Sequence, residues 1–230
     1  MQRVKAIFVS HEHSDHITGI PALSKKFRLP VYITEATLAN SPLPIEPALI
    51  VPFLAHIPVS IGSLLVTAFP KYHDAADPHS FMVSSGNINI GIFTDLGIGC
   101  EQLIHYFKQC HAAFLEANYD VKMLENGNYP YHLKKRISGG LGHLSNEQAL
   151  DLFLRHRSPD LSHLLLAHLS KNNNRPEIVE NLFKQHAQHI HIAIASRYSE
   201  SALYFIDGKN EGKSFFPNRK NNQQQLSLFE

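Results

Sequence analysis

The sequence predicts an α/β fold, with strands and helices alternating around one layered core. Three observations lead there. Short apolar runs alternate with segments of helical periodicity along most of the chain. An apolar strand, Ala6-Ile7-Phe8-Val9, runs into a polar turn and then into near-helical spacing at Ile17, Ile20, Leu23 and Phe27. The chain has 230 residues, 43% hydrophobic and 18% charged, enough for one substantial domain.

The elements follow in order. Residues 31–34 read as a strand and 35–40 as a short helix, after which Pro42, Pro44 and Pro47 mark a loop. Residues 64–69 are strand-like. Residues 81–84 and 88–94 flank Ser85-Gly86-Asn87, which has the composition of a hairpin turn. Leu103, Ile104 and Phe107 suit an amphipathic helix, followed by a strand over 113–117. Ser145 with Gln148 three residues later is a capping box that opens a helix over 146–156. The run Leu164-Leu165-Leu166-Ala167 reads as another strand. Pro176 falls in the first turn of a helix over 177–186, where a missing N–H costs least. Alternation at Ile190, Ile192 and Ile194 predicts a half-exposed strand over 189–196. No repeat or inter-domain linker interrupts this order.

Bulk properties narrow the function. A net charge of +1 provides no global field towards nucleic acid, so any such binding must use local patches. Cys100 and Cys110 lack metal or redox spacing, and so few thiols suit a reducing compartment. No apolar stretch is long enough to span a bilayer, and the first residues do not form a signal peptide. The expectation is a cytoplasmic protein with no membrane partner.

The chemistry concentrates in Ser10-His11-Glu12-His13-Ser14-Asp15-His16. On extended chain His11 and His13 share a face, and the turn that follows brings Asp15 and His16 round to a second point nearby. Two neighbouring divalent metal ions suit such a cluster. Imidazole and carboxylate donors favour zinc, with manganese or iron as substitutes.

The same pattern, H-x-H-x-D-H after a buried strand, resembles the signature of the metallo-β-lactamase superfamily. His73 after the 64–69 strand, Asp95 at the end of 88–94 and His168 after 164–167 extend the resemblance in the superfamily's order. It implies an αββα sandwich, two sheets packed face to face with helices outside. It further implies that His11, His13 and His73 hold one metal, that Asp15, His16 and His168 hold the other, and that Asp95 bridges both. Superfamily members usually begin with further strands before the first histidine motif, which here starts by residue 11. The expected fold is therefore N-terminally incomplete, with a sheet edge and part of the core uncovered.

Within the superfamily, Asp95 in place of Cys argues against ordinary metallo-β-lactamases. About seventy residues between Asp95 and His168 are too few for the inserted domain of β-CASP nucleases. Phe69-Pro70, His73-Asp74-Ala75-Ala76-Asp77-Pro78, Phe93-Thr94-Asp95, Leu115-Glu116-Ala117-Asn118, Gly142-His143-Leu144-Ser145-Asn146 and His168-Leu169-Ser170 resemble the YycJ/WalJ family. That resemblance implies a phosphodiesterase, an exonuclease acting on DNA from the 5′ end in repair or replication. Asp15 and His143 are the catalytic candidates, His143 as general acid in a Gly-flanked turn. Lys134, Lys135 and Arg136 are candidates for gripping backbone phosphate. Glu116 and Asn118 either brace the site or cap a strand, and His79 and His163 read as ordinary polar positions. The competing classes are an acyl hydrolase of glyoxalase II or lactonase type and an inactive fragment.

Residues 1–215 are expected to form the catalytic domain and 216–230 a polar, flexible tail. Within that tail Gln225-Leu226-Ser227-Leu228-Phe229 resembles the bacterial sliding-clamp-binding pentapeptide. The resemblance implies that Leu228 and Phe229 fill an apolar pocket, with Gln225 at its rim and Leu226 beside it. Such a tether would raise the effective concentration on DNA.

Overall fold

The computed structural model describes residues 4–207. Two sheets pack between two layers of helices. The first is parallel, with strands β1 (Ile7–Phe8), β2 (Val31–Ile33) and β3 (Ile50–Pro52) in that order. Parallel neighbours need crossovers. Here they are α1 (Ser14–Ile17) with α2 (Ile20–Phe27), then α3 (Glu35–Ala39) with a 3₁₀ turn at Pro47–Leu49. The helical spacing from Ile17 to Phe27 thus belongs to two helices, broken at Thr18 and Gly19.

The second sheet begins with an antiparallel meander of β4 (Val59–Ile61), β5 (Leu64–Pro70), β6 (His79–Ser85) and β7 (Ile88–Phe93). The hairpin expected at 85–87 is present, with Gly86 at a φ of 57°, the left-handed region a tight turn needs. After α4 (Glu101–Phe107) comes β8 (Ala112–Glu116), then α5 (Val121–Asn126), α6 (Tyr131–Ser138) and α7 (Asn146–His156). β9 (His163–Ala167), α8 (Pro176–Lys184) and β10 (His191–Ile194) complete the described chain. The spatial order is β10-β9-β8-β7-β6-β5-β4, with β7 to β10 parallel. The capping box forms as expected: Ser145 Oγ accepts from Gln148 N at 3.2 Å, and Gln148 Oε1 accepts from Ser145 N at 2.9 Å.

Three apolar clusters make the layers. Phe8 and Tyr32 from the first sheet pack against Phe53, Val66 and Phe81, which joins the sheets face to face. Val9, Val31 and Ile33 meet Ile17 and Ile20 on the outer side of the first sheet. The largest cluster, including Phe93, Phe107, Phe153 and Phe183, lies between the second sheet and α4, α7 and α8. This is the expected αββα sandwich. Among the described residues β1 and β3 each pair only with β2, so both are edge strands of the first sheet.

Sequence patterning missed β3, β4, α5 and α6. β3 and β4 are three-residue strands that, unlike β2, have no fully buried apolar position to mark them, and α6 has only Leu133 and Ile137 half-buried, too few to read as an apolar stripe. α5 did carry a signal, the N-cap Asp120 that accepts from Met123 N at 2.8 Å. No helix of the described residues is long and apolar enough to cross a membrane. Residues 216–230, with the pentapeptide Gln225, Leu226, Ser227, Leu228 and Phe229, lie outside the described residues.

Candidate metal centre

β5 and β7 are each antiparallel to β6, while β7, β8 and β9 are mutually parallel, so β5, β7, β8 and β9 all run the same way. Their C-terminal ends open on one edge. His73 lies in the loop after β5, Asp95 just beyond β7, Glu116 at the end of β8 and His168 directly after β9. The first sheet delivers the remaining donors to that edge. His11 and His13 precede α1, Asp15 and His16 belong to it, and His79 N donates to Ser10 O at 2.9 Å to hold the turn against the second sheet. All seven expected ligands converge: donor atoms of His11, His13 and His73 lie within 4.8 Å of one another, as do those of Asp15, His16 and His168. His11, His16 and Asp95 form a third such group and join the two.

The geometry around His13 and His73 fits a cation. His13 Nε2 donates to Asp74 O at 3.1 Å and His73 Nδ1 donates to Gly142 O at 3.0 Å. With those protons committed, His13 Nδ1 and His73 Nε2 present lone pairs to each other across 3.3 Å. Two nitrogens bound tetrahedrally at roughly 2.0–2.1 Å from a zinc ion stand about 3.4 Å apart. His11 Nε2, buried beside them, has no hydrogen-bond partner. Burial first, then Lys71, pushes the His11 pKa down to about 2, and the same causes bring His73 to about 4. Both rings are therefore neutral and free to ligate.

Asp95 stands between the two groups. Its Oδ1 lies 4.0 Å from His73 Nε2 and 3.5 Å from His168 Nε2, and its Oδ2 lies 3.5 Å from His16 Nε2. Burial alone would raise its pKa, but His16, Lys71 and His168 hold the carboxyl far below the usual range. Lys71, itself buried, donates to Thr94 O at 2.8 Å and reaches within 3.8 Å of Asp95 Oδ2. Burial lowers its pKa to about 8. Asp95 and His168 both sit at left-handed φ, 57° and 58°. That region is uncommon for residues other than glycine and recurs at functional sites.

Glu116 is fully buried and organises the second group. Its Oε1 accepts from His168 Nδ1 at 2.7 Å and from His143 Nδ1 at 2.9 Å; its Oε2 accepts from Leu96 N at 2.7 Å and Leu144 N at 3.2 Å. Burial raises its pKa, yet His143 and His168 bring it down to about 2. The preference of the folded state for ionised Glu116 is thus present at neutral pH. It fades as pH falls from the ordinary range near 4.5 towards 2. Burial lowers the His168 pKa, but Glu116 and Asp95 raise it to a net value of about 9. A positive charge at His168 is therefore favoured, as it would be where a metal ion could bind. The open reading of Glu116 and Asn118 resolves towards bracing: Asn118 Nδ2 donates to His168 O at 2.8 Å. His143 sits beside the ligands, its ring 5.3 Å from those of His73 and of His168.

The other candidates do not join the donor groups. His79 is buried and donates Nδ1 to Asp77 O at 2.9 Å, and His163 packs against His191 and Tyr204 at the opposite end of β9. Lys134, Lys135 and Arg136 are on α6 and are already engaged. Lys134 Nζ donates to Glu125 O at 2.7 Å, Lys135 lies over the Tyr131 ring, and Arg136 Nε donates to Asp74 Oδ2 at 2.5 Å. None of the three lines the cleft that opens beside the metal centre. Its cations are Lys171, Arg175 and Arg197, which sequence reasoning missed; their one signal was that Lys171 closely follows the His168-Leu169-Ser170 motif.

A family model described as a beta-lactamase superfamily domain matches residues 1–168. The chain is 35% identical over 182 residues to the exodeoxyribonuclease YycJ of Bacillus anthracis, covering 76% of this chain and 67% of that one. It is 31% identical over 178 residues to the exodeoxyribonuclease WalJ of Streptococcus pneumoniae, covering 75% of this chain and 66% of that one. Among solved structures, the metallo-beta-lactamase fold protein YhfI from Bacillus subtilis matches with a TM-score of 0.63 at 18% identity, over 85% of this chain and 76% of that one. Zn(2+)-bound PqqB from Methylobacterium extorquens matches with a TM-score of 0.61 at 16% identity, over 83% and 71% respectively. At such identities these two structures speak for the fold.

Replacing Glu116 by Gln tests the bracing. A carboxamide has one acceptor oxygen, so its NH₂ must face either two backbone N–H groups or two imidazole N–H groups. In the second arrangement an imidazole must move its proton to Nε2, where His168 can no longer ligate. Glu116→Gln should weaken binding at the Asp15/His16/His168 position by roughly 10–100-fold, read by calorimetric titration of metal-stripped protein with zinc. Wild-type affinity at both positions would show that Glu116 does not set the His168 tautomer.

Proposed function

The chain belongs to the beta-lactamase superfamily and is a metal-dependent hydrolase, and we propose that it is a dinuclear exonuclease cleaving DNA from the 5′ end. The observation that carries this reading is the 35% identity to a curated exodeoxyribonuclease over 76% of the chain. Because alignment reaches about two thirds of that relative, DNA as substrate and 5′ polarity are the reading's own claims. Five imidazoles and two carboxylates favour zinc, with manganese or iron as substitutes. His11, His13 and His73 would hold one ion, Asp15, His16 and His168 the other, with Asp95 shared. Two divalent ions supply Lewis acidity towards the phosphate oxygens and acidify water to near neutrality.

The chain's own residues supply the remainder. Glu116 commits the His143 Nδ1 proton, so proton transfer at His143 runs through Nε2. From there it protonates the departing sugar oxygen as the P–O bond breaks, sparing the release of a free alkoxide. Asp15 is the most exposed of the ligands, with its side chain 67% accessible, and it lines the cleft that substrate would enter. Its second role is to accept a hydrogen bond from the attacking water and orient it. The proposed setting is the cytoplasm, in DNA repair or replication. The terminal pentapeptide Gln225-Leu226-Ser227-Leu228-Phe229 supports a tether to the bacterial sliding clamp, which offsets a net charge of only +1.

Four measurements check this. Asp95→Ala should lose both ions, measured by metal analysis after dialysis; retention of either ion removes the shared-ligand role. DNA labelled at its 5′ end should release label as small products before DNA labelled at its 3′ end. In that assay His143→Ala should keep its metal and turn over roughly a hundredfold more slowly. Hydrolysis of thioesters or lactones with intact DNA would replace the reading by an acyl hydrolase. For the tether, the full chain should bind the clamp and a chain ending at Gln224 should not; equal binding by both, or by neither, removes it.

A further inference from the structure

A cleft of about 990 Å³ opens directly off the metal centre, with Asp15, His143 and His168 at one end. One wall is the segment that follows His168, carrying Lys171 and Arg175. The other is the segment that follows β10 and ends at Arg197 and Tyr198. We propose that this cleft is the track for a single strand of nucleic acid, in which Lys171 and Arg175 hold backbone phosphates and Tyr198 stacks a base. The proposal rests on the nuclease reading and assigns its binding surface.

Charge is the first support. The chain as a whole carries +1, yet the cleft gathers Lys171, Arg175 and Arg197, and its one acidic lining residue is the metal ligand Asp15. Some exposed cations elsewhere are paired, Arg136 with Asp74, Arg155 with Asp151 and Lys184 with Glu180, while others such as Lys25, Lys108 and Lys122 stand alone on the surface away from this cleft. Among the described residues the Lys171 and Arg175 side chains have no such partner. Cations left unpaired along one path from a hydrolytic centre suit a polyanion. A neutral thioester or lactone has no use for them.

Geometry is the second. Arg197 donates to the carbonyl of Leu169, the residue immediately after His168. That bond joins the two walls at the metal end, which makes Arg197 a positioning residue for the cleft. It also sets Tyr198 beside the small residues Ala195 and Ser196, with the residue 80% exposed. An exposed aromatic face at the margin of a cationic groove is a stacking platform for a base. Within a duplex every base but the terminal pair is covered on both faces, so a ring set along the cleft beyond the metal end fits a single strand rather than a duplex.

The test uses metal-loaded full chain and a fluorescein-labelled phosphorothioate oligothymidylate, which resists hydrolysis. Anisotropy titrations run at several salt concentrations, with metal content and thermal melting as controls on folding. Wild type should bind the single strand more tightly than its duplex with oligoadenylate. The double variant Lys171→Ala/Arg175→Ala should bind more weakly and flatten the log Kd against log salt slope by roughly 0.7 for each cation removed. Tyr198→Ala should lose roughly tenfold at fixed salt with the slope intact, and Tyr198→Phe should restore it. No binding by wild type, a wild-type slope in the double variant, or a wild-type Kd for Tyr198→Ala would each overturn the track. So would equal affinity for strand and duplex. If the variants behave as stated but unmodified DNA is never cut, the nuclease reading falls and the track stands. If every variant cuts DNA with an unchanged KM, the reverse holds.

Discussion

The four hydrogen bonds into Glu116 are the constraint on which the site depends. Moving a carboxylate out of water costs several kcal/mol even after relaxation. A hydrogen bond to a charged group returns about 1.5–3 kcal/mol. A fully buried Glu is therefore tolerable only when several donors converge on it, and here they come from separate pieces of chain: Leu96 after β7, His143 and Leu144 before α7, and His168 after β9. The charge cannot be satisfied unless those loops meet. Once they meet, the tautomers of His143 and His168 are fixed as well.

The sheet makes that meeting possible at low cost in chain length. Four strands of common direction end on one edge, so each donates its next few residues to the same place. What the sheet cannot do is turn the chain sharply enough to point those residues inward. Asp95 and His168 do so by adopting left-handed backbone, a conformation that costs of order 1–3 kcal/mol at each residue. Lys71 on Thr94 O and Asn118 on His168 O hold the turns next to those two residues. The strain and its restraints are adjacent, as expected where a backbone is held in place for chemistry.

The residues that could be read from sequence were those whose local pattern carries their meaning. The H-x-H-x-D-H cluster, the strand ends before His73, Asp95 and His168, and the capping box at Ser145 all depend on spacing within a few residues. The contacts of Glu116 span 20 to 52 positions in sequence, so its central place appears only in three dimensions. The basic run at 134–136 was conspicuous because its charges are consecutive, yet folding spends them on Glu125, Tyr131 and Asp74. Lys171, Arg175 and Arg197 are scattered in sequence and were invisible for that reason. β3 and β4 are as short as β2 but lack its fully buried apolar positions, so they carry too little pattern to be recognised without their partners.

The carbonyl of Gly142 orients His73, and the next residue is His143. A Cβ at Gly142 would fall 2.1 Å from the carbonyl oxygen of Arg136 and 2.2 Å from that of Ile137, both rigid backbone at the end of α6. A Cβ at Gly97 would likewise lie 2.1 Å from Gly140 O. This turn therefore has almost no mutational freedom: every side chain is excluded at the position that links a metal ligand to its neighbouring imidazole. Divergence among related chains can reach the spacing between His73 and His143 only by moving the end of α6 itself. Adaptation to new substrates is consequently channelled away from this turn and towards the exposed side chains of the segments after β9 and β10, Arg197 with its bond to Leu169 O excepted.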